Sequence, residues 1–287
     1  MNDHLTPKEA GDALGLSEST IKRWCDRQEL STVRTPGGHR RIPLSAILEL
    51  ARRDHYELVR PEVVGLPARL SAPQDLASAS TALVEHLKRG DVGELRRIAF
   101  ALHLAGVSAE ELADRLLAPA MRELGTSWQH GTAEVYQERR AVELVSRLVH
   151  ELRIALPEPA PEAPLAIGGT LAPDNYQLAS AMVEWVLRAQ GFRTQQLGAA
   201  NPGATLAAAL RDLRPRLFWL SASFIPDRSA FLADFERIAA AAEEVGTVVV
   251  VGGNALDADL RSRMRYACFG DTLAHLSTFV RTLQGQL

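Results

Sequence analysis

At 287 residues, 46% apolar and with a formal charge of −3, the chain has the composition of a soluble protein and, at about 150 residues per domain, length for two or three of them. No apolar run approaches the ~18 residues of a membrane span, and no charged-then-apolar leader precedes Thr6, so a cytoplasmic protein is expected. Two cysteines exclude a four-cysteine zinc site, and Cys25 and Cys268 fall in segments assigned below to different domains, so no disulfide is expected.

Thr6-Pro7-Lys8-Glu9 reads as a helix start, with a threonine cap, proline at the first helical position and a glutamate placed to close a capping box. Ala10, Ala13 and Leu14 share a face, and Gly15 ends the helix. Ser17 caps a second helix with Ile21 and Trp24 inside and Thr20, Arg23 and Arg27 outside. Pro36-Gly37-Gly38 is then a turn between two short extended runs, giving a hairpin with His39 at its tip and Arg34, Arg40 and Arg41 on its arms. A helix from Leu44 to about Val59 completes a first domain over residues 1–59.

Two short helices, a glycine-bearing turn and the string Thr35-Pro36-Gly37-Gly38-His39-Arg40-Arg41 resemble the winged helix-turn-helix of MerR-type and excisionase-type regulators. The resemblance implies a second helix in the major groove of double-stranded DNA and a wing on the flanking backbone. Arg34, Arg40 and Arg41 suit phosphates, while Thr20, Lys22, Arg23 and Arg27 are the candidates for base edges. The alternative is a solvated basic face on a structural bundle. Because one such module touches few base pairs, a dimer or tetramer is expected.

Residues 60–74, with three prolines, read as a linker. Four helix patterns follow over 75–155, opened at Asp75, Asp91, Ser108 and Thr132, with the third ending near Gly125; their short connections predict an antiparallel bundle. Trp128 is expected in the loop before the fourth helix, which carries Glu138 and Arg139. A proline-rich spacer at 156–163 leads to a last domain, 164–287.

That domain opens with a buried strand from Leu165 to Leu171, a Pro173-Asp174-Asn175 loop and a helix carrying Leu178, Met182, Trp185 and Val186. Strands then alternate with helices: Arg193 to Ala199, Arg216 to Phe224, the Val248 to Val251 run, and Tyr266 to Gly270. The expected fold is an α/β Rossmann-like (flavodoxin-like) five-stranded parallel sheet, so the loops at 172–177, 221–226 and 252–255 converge on its carboxyl edge. Asn175 and Ser223 become ligand candidates by that placement.

Bundle and sheet together resemble the cobalamin-binding module of B12-dependent methyltransferases, and with the winged head the whole chain resembles the light-responsive CarH and LitR type of repressor. In that family a tryptophan and a Glu-His pair on the bundle meet D-x-H-x-x-G, S-x-L and Gly-Gly on the sheet. The chain keeps Trp128, Glu138, Asp174, Ser221, Gly252 and Gly253 at those places. It departs at Tyr176, where the cobalt-ligating histidine stands, at Ala179, beside the nucleotide tail, at Arg139, and at Gln129, the place of a second cobalt-binding histidine. A neutral phenol is a poor donor where imidazole is a good one.

The resemblance implies cobalamin without the histidine ligand, another tetrapyrrole or chromophore, or an empty scaffold. Trp128 would cover the upper face of a ligand, and Arg139 would pair with a carboxylate of it or with Glu138 or Glu143. A sensory regulator of transcription, a repressor responding to light or to a tetrapyrrole through its oligomer state, is therefore expected. Its alternatives are a ligand-free constitutive regulator and a corrinoid carrier of the methyltransferase type. No phosphate loop and no paired histidines stand out, so neither enzymatic activity nor a metal site built by side chains is expected.

Overall fold

The computed structural model describes residues 4–54, 56–70, 73, 75–129 and 134–285, without the side chains of 127–129. The chain forms two compact units, Met1–Glu158 and Pro159–Leu287. No helix among the described residues is long and apolar enough to cross a membrane.

In the first unit, α1 (Pro7–Leu14) starts as its sequence dictates: the Thr6 hydroxyl accepts from the Glu9 N–H, and the Glu9 carboxylate accepts from the Thr6 N–H at 2.7 Å. Gly15, at φ 67°, ends it in the left-handed region. Ser17 caps α2 (Glu18–Asp26), which buries Ile21 and Cys25. Cys25, rather than Trp24, takes the inner position; Trp24 is half-buried and meets the Tyr56 ring edge-on at 5.7 Å. Strands β2 (Val33–Arg34) and β3 (Arg40–Pro43) form the antiparallel wing, and β1 (His4–Leu5) pairs on the other side of β3.

Helix α3 (Leu44–Arg53) stops well short of Val59. The chain instead turns back, so that the Arg60 N–H donates to Ala13 O of α1 at 3.2 Å. A 3₁₀ turn, Pro61–Val64, buries Pro61 and Val64, and Leu66 is 3% exposed. The proline-containing stretch expected to be a free spacer is thus in part a packed strap.

Helices α4 (Leu76–Arg89), α5 (Val92–Leu104), α6 (Ala109–Leu112), α7 (Ala118–Gln129) and α8 (Val135–Ile154) make the bundle. Asp75, Asp91 and Ser108 cap their helices as expected, and α6 runs through a π-helical segment, Ala113–Leu117, directly into α7. Arg96 of α5 donates to Glu151 of α8 and to Gly65 O of the strap, each at 2.7 Å. Arg52 of α3 reaches Gly106 O at 3.5 Å, so the head is seated on the bundle. Gly125 does not stop the third helix; Trp128, expected in a loop, lies in the last turn of α7.

The second unit is a five-stranded parallel sheet: β4 (Leu165–Gly169), β5 (Arg193–Gln196), β6 (Leu217–Ser221), β7 (Val248–Gly252) and β8 (Cys268–Gly270), in the order β5-β4-β6-β7-β8. Helices α9 (Leu178–Ala189), α10 (Gly203–Leu213), α11 (Arg228–Val245), α12 (Ala258–Ser262) and α13 (Leu273–Gln284) cover its two faces. Ile167, Phe218, Leu220 and Phe235 build one apolar layer; Leu187, Trp219, Leu276 and Val280 build the other. Strand order reverses between β4 and β6, so the switch point where such sheets hold ligands falls above Gly169 and Ser221. Regular pairing of β4 ends at Gly169, short of the expected Leu171, which keeps a single bridge to Asn201.

Candidate functional site

Two surfaces carry the predicted residues. On the head, Arg23 and Arg34 are exposed and have no acidic partner among the described residues, and His39 is exposed at the wing tip. Three other basic side chains are engaged: Lys22 with Glu18 at 2.7 Å, Arg27 with Glu29 at 3.9 Å, and Arg40 with Asp26. The last pair ties β3 to the end of α2 and so fixes the wing against that helix. Thr20 is half-buried with its hydroxyl 2.9 Å from that of Ser17, and Arg41 is half-buried on β3.

On the sheet unit, Asp174 anchors the edge. It is 2% exposed, and its carboxylate accepts from three backbone N–H groups: Tyr176 at 2.9 Å, Ser223 at 2.6 Å and Phe224 at 3.2 Å. Its own carbonyl accepts from the Thr170 hydroxyl and from the Ala200 N–H at 3.0 Å. One buried side chain therefore binds the loop after β4 to the loop after β6. Both oxygens are spent on backbone; the residues so tethered include Tyr176, 61% exposed, and Phe224, 49% exposed. Asn175 is exposed, with its amide on Pro173 O at 3.3 Å, and Ala179 is exposed as well.

Ser221 is buried and pairs in register with Gly252. Gly253, at φ 112°, lies so close to Ala222 that a Cβ there would be 2.2 Å from its carbonyl oxygen. The second glycine of the pair is thus explained by close approach of two backbones.

The bundle residues are less constrained. Glu138 is half-buried and Arg139 exposed, and no ion pair joins them to each other or to Glu143 among the described residues. The neighbouring Arg140 is the fixed one, donating to Lys88 O with its guanidinium 5.6 Å from the Tyr136 ring centroid. The side chains of Trp128 and Gln129 lie outside the described residues.

Sequence reasoning did not single out Phe224, or the pair formed by Trp219 and Ser180, whose indole N–H donates to the serine hydroxyl at 2.8 Å. A glycine inside a strand, Gly168, was the available signal: a Cβ there would be 2.3 Å from the Trp219 ring. No group of three histidine, cysteine, aspartate or glutamate side chains placed to hold a metal occurs among the described residues. A cavity of about 230 Å³ lies in the first unit, between the head and Pro157, lined by Leu30, Ala46, Leu50 and the carboxylate-bearing Glu29 and Glu49.

Residues 5–55 match a family described as a helix-turn-helix domain, and residues 79–153 match one described as a B12 binding domain. No curated protein matches the chain. Among solved structures, the monomethylamine corrinoid protein of Methanosarcina barkeri is similar at 16% identity and a TM-score of 0.59, covering 72% of this chain and 98% of that one. A cobalamin-binding protein from Desulfitobacterium hafniense DCB-2 is 16% identical over 72% of this chain and 98% of that one, with a TM-score of 0.39. The methanol:cobalamin methyltransferase complex of M. barkeri is 15% identical over 95% and 94%, with a TM-score of 0.40. At such identities the first likeness shows the fold alone, and the other two carry no argument.

Proposed function

We propose that the chain is a DNA-binding regulator of transcription, a cytoplasmic repressor, whose bundle and sheet take up a cobalamin and whose occupancy alters the assembly of the chain and its hold on DNA. The observation that carries this reading is the presence, in one chain, of a helix-turn-helix match over 5–55 and a B12 binding match over 79–153. The unpaired Arg23 on α2 and Arg34 on the wing support DNA as the partner of the head. A homodimer or tetramer sets the spacing of two or more heads on repeated half-sites.

Tyr176 bears on how the ligand is held. A phenol becomes a metal donor by giving up its proton, and Asp174, the nearest buried carboxylate, has both oxygens on backbone N–H groups. This favours a cobalamin whose cobalt takes no ligand from the sheet. A bound cobalamin supplies a coloured planar ring with an exchangeable, light-labile upper ligand; the protein's part is to grip that ring and transmit its presence. Asn175, Tyr176 and Ser223, on the loops that Asp174 positions, and Trp128, Glu138 and Arg139 of the bundle are the residues proposed for that grip, and the input is ligand occupancy or light absorbed by it.

The test begins with duplexes selected from random DNA by the full-length protein. Retention in a mobility-shift assay should be sequence-specific and should change at least about tenfold when adenosylcobalamin is added or the loaded protein is illuminated. Retention indifferent to both identifies a constitutive regulator, retention on every duplex alike rejects specific regulation, and turnover of a methyl donor would instead favour a corrinoid carrier. On the selected duplex, Arg23→Ala should lose roughly tenfold in affinity and relax discrimination at one base position. Arg34→Ala should weaken all duplexes alike and reduce the salt slope by about one.

A further inference from the structure

Three cations of the head have carboxylate partners, and they are not held alike. Lys22 and Glu18 are 48% and 46% exposed and lie one turn apart on α2; Arg27 and Glu29 are 3.9 Å apart and 64% and 50% exposed. Such pairs are loose and leave the cation free to turn to a phosphate. Arg40 is only 24% exposed, and its partner Asp26 stands on another element of the head.

Asp26 closes α2, and a carboxylate in the last turn of a helix opposes the helix dipole, so α2 itself gains nothing from it. It faces outward: Ile21 and Cys25 are the buried residues of α2, whereas Asp26 is 58% exposed and lies one turn beyond the exposed Arg23, at the side where α2 meets the wing. In the wing, Arg34 is in register with Arg40, so the two side chains rise from the same face of the hairpin. Arg34 is exposed and has no acidic partner among the described residues. Two adjacent guanidiniums on one face suit a shared phosphate, and Asp26 holds one of them back.

We infer, on the reading of a DNA-binding regulator given above, that Asp26 is a built-in competitor of the DNA backbone: its carboxylate takes the place of a phosphate at Arg40 and keeps that guanidinium out of the contact. The residue thereby limits how strongly a head grips any duplex, without choosing among sequences. With backbone affinity held down, retention depends on base contacts and on the number of heads assembled.

The test uses the full-length protein, the duplex selected above and an unrelated duplex of equal length, with dissociation constants measured from about 50 to about 200 mM salt. Asp26→Asn should bind both duplexes about tenfold more tightly at the low end and steepen the salt dependence by about one. In an Arg40→Gln background the same substitution should gain no more than about threefold and leave the slope nearly as it was, because the guanidinium it would release is absent. Circular dichroism should be the same for wild type, both single variants and the double variant, since an ion pair this open to water contributes little to stability.

Equal gains with and without Arg40 would show that charge alone is at work. Weaker binding by Asp26→Asn would show that the pair positions the wing, unchanged binding that Arg40 is out of the reach of DNA, and a gain confined to the selected duplex that Asp26 acts on base reading. Each of these overturns the inference while leaving a DNA-binding regulator in place. Retention of neither duplex by any of the four proteins overturns that broader reading and this one with it.

Discussion

Asp174→Ala will lower the unfolding free energy of the sheet unit by about 3–4 kcal/mol, the largest effect expected of any single loop residue in it. The magnitude follows from counting what the carboxylate does: three backbone N–H groups lie within 2.6–3.2 Å of it, and the side chain itself is 2% exposed. A hydrogen bond to a charged group contributes about 1.5–3 kcal/mol, and a buried donor left without a partner costs about 1–3 kcal/mol. The sum is reduced because the loops bearing Tyr176 and Phe224 border solvent, and water reaches part of what alanine uncovers.

Asp174→Asn separates this role from simple burial. It keeps one carbonyl oxygen as acceptor but presents an amide N–H₂ to the other donors, so about half of the loss should remain. Urea unfolding of the full chain, with the two units followed by separate probes, checks both variants. The transition of the first unit should not move, and a loss under about 1 kcal/mol for alanine would show that the edge is held by something else.

What was legible in the sequence was what is decided locally. Thr6 with Glu9 and Ser108 with Glu111 form the capping boxes their spacing announces, and Asp75, Asp91 and Ser17 cap the helices they precede, because each bond spans only three residues. The alternation of strands and helices was enough for the parallel sheet, since connections of this length leave few other ways to bury those strands.

The misreadings come from bonds between distant residues. Periodicity carried α3 on to Val59, but Arg60 is drawn back to Ala13, and no local signal announces that bond. Gly125 looked like a stop, yet Thr126 is bonded to Arg122 O at 3.0 Å and the helix continues past both. Asp174 was recognised as an edge residue, while its work on Ser223 and Phe224, 49 and 50 positions away, was not readable. For the same reason Arg40 was assigned to phosphate before its partner Asp26 could be seen.

Acid will weaken the first unit before its carboxylates begin to matter, and one histidine is responsible. His103 on α5 is 4% exposed; burial, and secondarily the charge of Arg52 on α3, lower its pKa from 6.5 to about 4. The folded unit therefore keeps a neutral imidazole where the unfolded chain binds a proton. Because the unfolded state holds more protons across this interval, stability is complete above pH 6.5 and falls as the pH drops toward 4, after which both states are protonated and the slope from this group vanishes. At 1.36 kcal/mol per unit, the loss across that window is about 3 kcal/mol. Glu9 and Asp75, whose bonds to Thr6 and Ser78 hold their carboxyls below the usual range, add their own losses only at lower pH. Urea denaturation at intervals from pH 7.5 to 4.5 should thus show a slope that His103→Leu flattens, even where the variant's stability at neutral pH differs. The site also lies at the joint between head and bundle, where Arg52 reaches Gly106 O, so a proton on His103 opposes the docking of α3 electrostatically. The protection of α3 against hydrogen exchange, taken relative to the intrinsic rate at each pH, should accordingly fall over the same interval, and equal urea slopes in the two proteins would refute the assignment to His103.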